Sequence, residues 1–182
     1  SLKIGTALKR MEQLIQSMLK ITRIDAGSIS FEKSNYSIPN IINHAISELT
    51  TRADNEKKEI VIDGDLEQML YCDIEWTGEA IGNIIKNALD HTDTGGKISI
   101  SWEQTPAMIR IFITDNGHGI SQEDIHHIFK RFYRSKNTSE SQGIGLGLPL
   151  AKAIVEGQGG ILSVQSELLQ GTTFTLSFLT ES

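Results

Sequence analysis

The spacing of apolar residues predicts one long helix at the start of the chain, followed by a mixture of helices and strands. This pattern predicts an α+β fold. Residues 2–25 carry an amphipathic stripe that ends at Asp25-Ala26-Gly27, a helix stop. Further helices are predicted over 38–51, 74–91 and 146–158, and strands over 28–32, 59–62, 66–71, 97–103, 108–114, 161–166 and 172–179. This order predicts a two-layer sandwich with a mixed, mostly antiparallel sheet, preceded by an N-terminal amphipathic helix.

The glycine break divides the chain into a helical segment, residues 1–27, and a segment long enough to form a domain with its own core, residues 28–182. A composition of 38% hydrophobic and 22% charged residues is typical of a globular protein. The net charge of −6 argues against a general nucleic-acid surface. The single cysteine, Cys72, excludes an internal disulfide and suits a reducing compartment.

The helix predicted over 74–91 has two different faces. Its apolar positions form one contiguous face: Thr77, Ile81, Ile84, Ile85 and Ala88. Asn83 and Asn87 lie four residues apart and share another face. Amide oxygens suit Mg²⁺ when the ion also contacts phosphate oxygens. Two asparagines on a helix are most often ordinary surface residues, so the metal-binding interpretation depends on the motifs that follow.

The segment D-N-G-H-G-I at residues 115–120 follows an apolar strand. Its glycines permit close approach of a flat ligand to the backbone. The carboxylate of Asp115 can accept a hydrogen bond from the exocyclic amine of adenine, whereas guanine carries a carbonyl there. An Asx turn is the alternative. We favour the adenine role because the segment comes roughly 30 residues after the asparagine helix and continues into Gly119-Ile120.

A third motif, G-I-G-L-G-L at residues 143–148, has glycines at alternate positions just before a predicted helix. Backbone N–H groups and the dipole at such a helix start favour anionic phosphate. A Rossmann loop is the alternative, but no β-α-β unit precedes the glycines and no acidic residue follows at the expected spacing of about 20.

Between these motifs lies a segment with aromatic anchors and a local basic cluster. The aromatic residues are Phe129, Phe132 and Tyr133, and the basic ones are Lys130, Arg131, Arg134 and Lys136. Arginine suits multidentate contact with phosphate. The stretch 135–142 has no apolar residue, so we expect it to be mobile without ligand.

In this order and spacing, the three motifs and F-K-R-F-Y-R at 129–134 resemble the ATP-binding catalytic domain of sensor histidine kinases. The resemblance covers roughly residues 35–180. It implies the Bergerat-type α/β sandwich that this domain shares with gyrase, chaperone and mismatch-repair ATPases. Residues 1–27 resemble the end of the second helix of the kinase dimerisation domain.

The resemblance implies roles for individual residues, with ATP and Mg²⁺ as cofactors. Asn87 would bind Mg²⁺, and Asn83 would support it in the catalytic site. The residues expected to contact ATP are Asn83, Asn87, His91, Asp115, Gly117, Gly119, Ile120, Phe132, Arg134, Gly143, Gly145, Leu146, Gly147, Leu148 and Thr173. For His91 and Thr173, ordinary roles at a helix end and in a strand-entry turn are equal alternatives. His118 is expected to face solvent.

Two positions bear on the reaction. Asn83 stands where related ATPases carry a glutamate that activates water, and an amide cannot accept that proton. Hydrolysis should therefore be poorly promoted, as a phosphotransferase requires. Asp90 departs from the basic residue common in the family, which puts one phosphate contact in doubt.

The resemblance also implies partners and a reaction for the parent protein. The γ-phosphoryl group of ATP would pass to a histidine and then to the aspartate of a response regulator. None of the five histidines lies in a phosphoacceptor pattern such as H-E-x-x-x-P, so we expect the acceptor upstream and no self-phosphorylation by this chain. The parent would be a homodimer, joined through its dimerisation helices and anchored in the membrane, with this part in the cytoplasm. A related ATPase or serine-kinase regulator, and a nucleotide-sensing module without turnover, are the alternatives.

Overall fold

A computed structural model describes residues 2–134 and 145–180 of the chain. The helices in these ranges are α1 (Leu2–Asp25), α2 (Ile38–Ile46), α3 (Thr50–Asn55), α4 (Ile74–Asp90), α5 (Gln122–Ile125) and α6 (Gly147–Gly157). The strands are β1 (Ser34–Ser37), β2 (Glu59–Asp63), β3 (Met69–Cys72), β4 (Lys97–Gln104), β5 (Met108–Asp115), β6 (Ile161–Glu167) and β7 (Gly171–Leu179).

The main sheet has five strands in the order β2-β4-β5-β7-β6, and only the β2–β4 pair is parallel. Alternate residues of β4, β5 and β7 are buried, because side chains of a strand point to opposite faces and one face here packs on the helices. The α+β sandwich with a mixed, mostly antiparallel sheet is thus confirmed. The β5–β7 pairing puts Asp115, the last residue of β5, opposite Thr172 near the start of β7.

Helix α4 lies at the centre of the helical layer, where it contacts α2 and α6 as well as the sheet. Its N-cap is Asp73, whose side chain accepts a hydrogen bond from the Trp76 N–H. Ile81, Ile84 and Ile85 are fully buried. Because three sides of α4 are covered, its polar residues are confined to one strip, which carries both asparagines.

A buried polar network fixes α6 beside α4. The side-chain carbonyl of Gln158 accepts a hydrogen bond from the Asp73 backbone N–H at 2.8 Å, and its amide donates to Thr77 Oγ1 at 3.0 Å. The C-terminal end of α6 therefore lies at the N-terminal end of α4. The two helices run antiparallel, which brings the start of α6 back to the asparagine strip.

Helix α1 packs on the domain with its second half only. Ile21 is fully buried, and α1 contacts α6, whereas the apolar stripe of its first half is exposed. The last residue of α1, Asp25, forms an ion pair with Arg131. Within residues 2–134 and 145–180, no helix has both the length and the apolar character needed to cross a bilayer.

Two predicted elements were wrong in extent. Residues 28–32 form no strand, and the predicted helix over 38–51 is two helices, α2 and α3, interrupted at residues 47–49. The predicted strands on either side of Asp63-Gly64 are present and belong to different sheets, since β2 joins β4 and β3 joins β1 in a separate two-stranded sheet. The indole N–H of Trp102 donates to the Asp65 carbonyl at 2.8 Å and holds the chain where it leaves β2.

The loop after β5 is held between two other backbone segments. A Cβ atom on Gly117 would lie 2.1 Å from the carbonyl oxygen of His91, which follows α4. A Cβ atom on Gly119, whose φ is +73°, would lie 2.0 Å from the carbonyl oxygen of Glu167, the last residue of β6. Only residues without a Cβ allow approaches this close, so both glycines determine where the loop lies.

We expect Gly119→Ala to destabilise the domain well beyond the cost of its backbone conformation. Gly95→Ala is a matched control, because Gly95 also has a positive φ, +85°, but has open space around it. The control should lose roughly 1–2 kcal/mol of unfolding free energy, and Gly119→Ala about 2 kcal/mol more through overpacking. Urea unfolding measures both, and equal losses would contradict the close approach.

Candidate nucleotide-binding site

A cavity of about 400 Å³ lies between α4, the loop after β5, the start of α6 and the β6–β7 turn. It brings together residues of all three sequence motifs. The predicted residues on its wall are Asn83, Asn87, His91, Gly119, Ile120, Arg134, Gly145, Gly147 and Leu148. Those placed away from the wall are Asp115, Gly117, Phe132, Leu146 and Thr173. Gly143 and the stretch 135–142 lie outside the described residues.

The polar wall of the cavity comes from α4. Asn87 lines it and is half-buried. The side-chain amide of Asn83 donates to the carbonyl oxygen of Gly147 at 3.3 Å, so it connects α4 to the first residue of α6. The N-terminus of α6 thus opens into the cavity beside the asparagines, and its positive dipole end favours an anion there.

Two charged residues on the same helix complete this wall. Lys86 lines the cavity, and no motif in the sequence marked it, because a single lysine on a helix is common. Asp90 also lines the cavity, and its carboxylate lies 2.6 Å from the guanidinium of Arg52 on α3. Arg52 also pairs with Glu56 at 2.6 Å. The negative charge of Asp90 is therefore partly balanced by a cation from outside the cavity.

Asp115 lies behind the cavity wall, with only 5% of its surface exposed. Its Oδ1 accepts a hydrogen bond from the Gly117 N–H at 2.9 Å. Burial raises the pKa of the Asp115 carboxyl to about 6, although hydrogen bonds from the backbone of Gly117 and Thr172 favour the charged form. Loss of hydration thus outweighs these donors, and a group that donated to the carboxylate would favour its ionised form.

The two threonines at the start of β7 point in opposite directions. Thr172 is buried against Asp115 and bonds Ser166 Oγ at 2.9 Å, whereas Thr173 Oγ1 lies 3.0 Å from Thr114 Oγ1 on the other face of the sheet. The alternation of side chains along a strand explains the difference. Thr172 is thus a neighbour of Asp115 that the sequence analysis, which named only Thr173, overlooked.

Two histidines lie at this part of the site, His91 just after α4 and His118 within the loop after β5. Burial lowers the pKa of His91, which favours its neutral form. His118 is largely exposed, as expected, but it also lines the cavity, and its Nε2 lies 3.1 Å from Asp93. The backbone N–H of His118 donates to the carbonyl of His91 at 3.1 Å, which joins the loop to the end of α4.

Residues 132–134 and 145 meet at one edge of the cavity. The Phe132 N–H donates to the Gly145 carbonyl at 2.9 Å, so the chain enters and leaves the undescribed stretch 135–144 at one place. Arg134 lines the cavity at this point, while the Tyr133 hydroxyl donates to Asp124, another wall residue that the sequence did not reveal. Leu146 is buried in the core and supports this edge from behind.

The opposite part of the wall is apolar. It is formed by Ile120, Ile128, Leu148, Leu168 and Leu169. The last two belong to the β6–β7 turn and lie in no motif, so sequence analysis missed them. A cavity with one polar and one apolar side suits a ligand with an anionic end and a flat organic end.

The oxygen donors on the cavity wall fit a Mg²⁺ ion that is held mainly by the phosphates of a bound nucleotide and only in part by the protein. Within residues 2–134 and 145–180, no group of three or more His, Cys, Asp or Glu side chains could form a metal cage. Asn87 supplies a neutral oxygen donor on the wall. Mg²⁺ typically takes one or two protein ligands and completes its shell with phosphate oxygens and water, which matches this arrangement.

Residues 72–182 match the family model described as histidine kinase-, DNA gyrase B-, and HSP90-like ATPase. The chain belongs to this ATPase family. The sensor protein SrrB of Staphylococcus aureus (strain NCTC 8325 / PS 47) is 30% identical over 170 residues, which are 92% of this chain but 29% of SrrB. The chain thus spans less than a third of the length of this curated relative.

Solved structures of histidine kinases share the fold. Acinetobacter baumannii histidine kinase AdeS matches with a TM-score of 0.83 at 19% identity, over 99% of this chain and 83% of that one. Full-length ShkA in complex with AMPPNP gives 0.81 at 21%, over 93% and 36%. Histidine kinase ThkA in complex with response regulator protein TrrA gives 0.76 at 20%, over 98% and 49%. These likenesses show that the chain has the fold seen in these histidine kinase structures.

We expect Asp115→Asn to become relatively more stable as pH rises. Because the folded-state pKa of Asp115 lies above that of an unfolded aspartate, the free energy of unfolding of the wild type falls as the pH rises through about 6. The advantage of the variant should grow by roughly 1 kcal/mol between pH 5 and pH 8. Urea unfolding at both pH values measures it, with Asp63→Asn, an exposed site, as control. An advantage that stays constant with pH would refute the burial effect.

Proposed function

We propose that this cavity binds Mg·ATP and that the domain transfers the γ-phosphoryl group to a histidine of its parent kinase. The observation that carries the proposal is the cavity itself, which joins the asparagine strip of α4, the loop after β5 and the N-terminus of α6. These three segments are distant in sequence, and each supplies one part of a nucleotide site.

The adenine base would lie at the end of the cavity formed by the loop after β5. Asp115 is buried directly behind this loop and would accept the exocyclic amine of adenine. Its raised pKa indicates a carboxylate short of stabilising donors, so a donor from the base would add a charge-assisted hydrogen bond. Gly117 and Gly119 would let the base approach the backbone, and Ile120 would contact it from the apolar wall.

The phosphates would lie at the other end, beside α4 and the start of α6. Asn87 would hold Mg²⁺, with Asn83 as a supporting polar contact, and the bound ion would neutralise phosphate charge. Arg134 and Lys86 supply cationic groups on the same wall. The N–H groups at Gly145, Gly147 and Leu148 would complete the phosphate contacts. Catalysis in such a site is mainly positioning and charge neutralisation.

The groups on the wall favour transfer over hydrolysis. Asn83 is an amide, and an amide is not basic enough to remove a proton from water. Its side chain also already donates a hydrogen bond to Gly147. The carboxylates on the described wall are Asp90, which pairs with Arg52, and Asp124, which accepts the Tyr133 hydroxyl. Both are held by other side chains, so neither carboxylate of the described wall is placed as an unengaged base for water.

The partners follow from the same proposal. The complexes of ShkA with AMPPNP and of ThkA with a response regulator support ATP as the nucleotide and a receiver domain as the downstream partner. The exposed apolar stripe on the first half of α1, which includes Ile4, Leu8 and Met11, supports homodimerisation through this helix. We propose that the parent is anchored in the membrane with this domain in the cytoplasm, as is typical of sensor kinases.

Replacing Asn87 should separate metal-dependent from metal-independent binding. Asn87→Ala should weaken Mg·ATP about tenfold or more, since it removes the proposed metal ligand, and should leave adenosine affinity within about twofold. Calorimetry with both ligands tests this, and Asp115→Asn is the matched counterpart because it should weaken both. Equal losses for adenosine and Mg·ATP in Asn87→Ala would contradict the metal role.

The chain alone should bind ATP without labelling itself, because no histidine in it lies in a phosphoacceptor pattern. Incubation with γ-labelled ATP should give neither acid-labile label nor appreciable release of phosphate. Rapid phosphate release would favour an ATPase. Stoichiometric acid-labile, alkali-stable label would show that the acceptor lies in this chain. If adding the parent's upstream phosphoacceptor helix also gave no label, the module without turnover would be the better account.

A further inference from the structure

The β6–β7 turn places two exposed leucines at the mouth of the cavity. Leu168 is 56% exposed and Leu169 is 83% exposed, and both line the cavity wall. Leu169 also has a φ of +65°, in the left-handed region that a residue with a Cβ rarely adopts. Neither the exposure of the side chain nor its backbone conformation stabilises the fold, so folding alone gives no reason for a leucine here.

The turn is held firmly in this position. The Leu169 N–H donates to the His118 carbonyl at 2.7 Å, and the Gln170 N–H donates to the Glu167 carbonyl at 3.1 Å. The close approach of Gly119 to Glu167 adds a second connection to the loop after β5. Unfavourable backbone conformations that the surroundings enforce are found most often at binding sites.

The position of the turn also says which part of a ligand it would meet. Thr172, three residues after Leu169, is hydrogen-bonded to Asp115, the proposed base-reading residue. The groups proposed to bind Mg²⁺ and the phosphates, Asn87 and the start of α6, lie on other segments of the wall. An apolar side chain gains nothing from phosphate, whereas the face of a purine base is a flat apolar surface that leucine can cover.

We propose that Leu169, with Leu168 beside it, covers the adenine base when nucleotide binds. The inference rests on the proposed function, since it adds an apolar contact to that same site. The contact involves the base alone, so it contributes equally to the binding of adenosine, ADP and ATP and does not depend on the metal. Leu169 is in this account a binding residue and takes no part in phosphoryl transfer.

Two variants separate the side chain from the backbone conformation. Leu169→Gly removes the side chain and relieves the left-handed backbone, and Leu169→Asn keeps similar bulk in a polar residue that tolerates this conformation. Leu66→Gly is the matched control, because Leu66 is also in a turn, is 70% exposed and lies away from the cavity. All are made in the full chain, and thermal unfolding reports whether each folds.

We expect Leu169→Gly to melt at or above the temperature of the wild type. Both Leu169 variants should bind adenosine and Mg·ATP about five- to tenfold more weakly, as follows from partly covering one leucine. Leu66→Gly should bind both as the wild type does. Calorimetry or competition with a fluorescent adenine nucleotide measures the affinities.

Unchanged adenosine affinity in both Leu169 variants would overturn the proposal, and so would a loss confined to Mg·ATP, since that would place the contact at the phosphates. In either case wild-type binding and the Asn87→Ala effect would still support the proposed function. A wild-type chain that bound neither ligand would instead refute the proposed function, and this inference with it.

Discussion

The site depends on how closely three backbone segments approach one another at Gly117 and Gly119. A Cβ atom at either position would lie about 2 Å from the carbonyl oxygen of His91 or Glu167. These approaches fasten the loop after β5 to the end of α4 on one side and to the β6–β7 turn on the other. They bury Asp115 behind the loop, open the cavity in front of it and fix the leucines of the turn at its mouth. The end of the cavity proposed to hold the base is thus shaped largely by backbone, at positions where a side chain would not fit.

The end proposed to hold the phosphates is built differently, from a helix covered on three sides. Because α4 packs on α2, α6 and the sheet, only one strip of it can be polar, and Asn83, Lys86, Asn87 and Asp90 occupy that strip. The hydrogen bond from Asn83 to Gly147 then ties this strip to the start of α6. Amide groups, cations and a helix N-terminus meet here, while each wall carboxylate is held by another side chain. This combination suits a triphosphate, and the two carboxylates of the described wall are engaged by Arg52 and by the Tyr133 hydroxyl, which agrees with the proposed phosphotransferase.

Periodicity predicted most of the fold, because long amphipathic helices and alternating strands carry a strong local signal. It failed at residues 28–32, which form no strand, and at residues 47–49, where a turn interrupts the helix predicted over 38–51. The motifs predicted the asparagine strip and the loop after β5. They could not reveal Lys86, Asp124 or the two leucines, since these residues belong to the site through the fold and have no distinctive spacing. Thr172 could have been found from the alternation of β7, which puts it and not Thr173 on the side of Asp115.

The proposed function requires one cavity to hold the base against the loop after β5 and the phosphates against α4 and α6. NMR can locate both contacts, by mapping backbone amide chemical shifts during titration with adenosine and then with Mg·AMP-PNP. Adenosine should shift the amides of residues 115–120 and 168–172, and Mg·AMP-PNP should in addition shift those of 83–87 and 145–148. Adenosine shifts centred on the asparagine strip, or none at 115–120, would contradict the account.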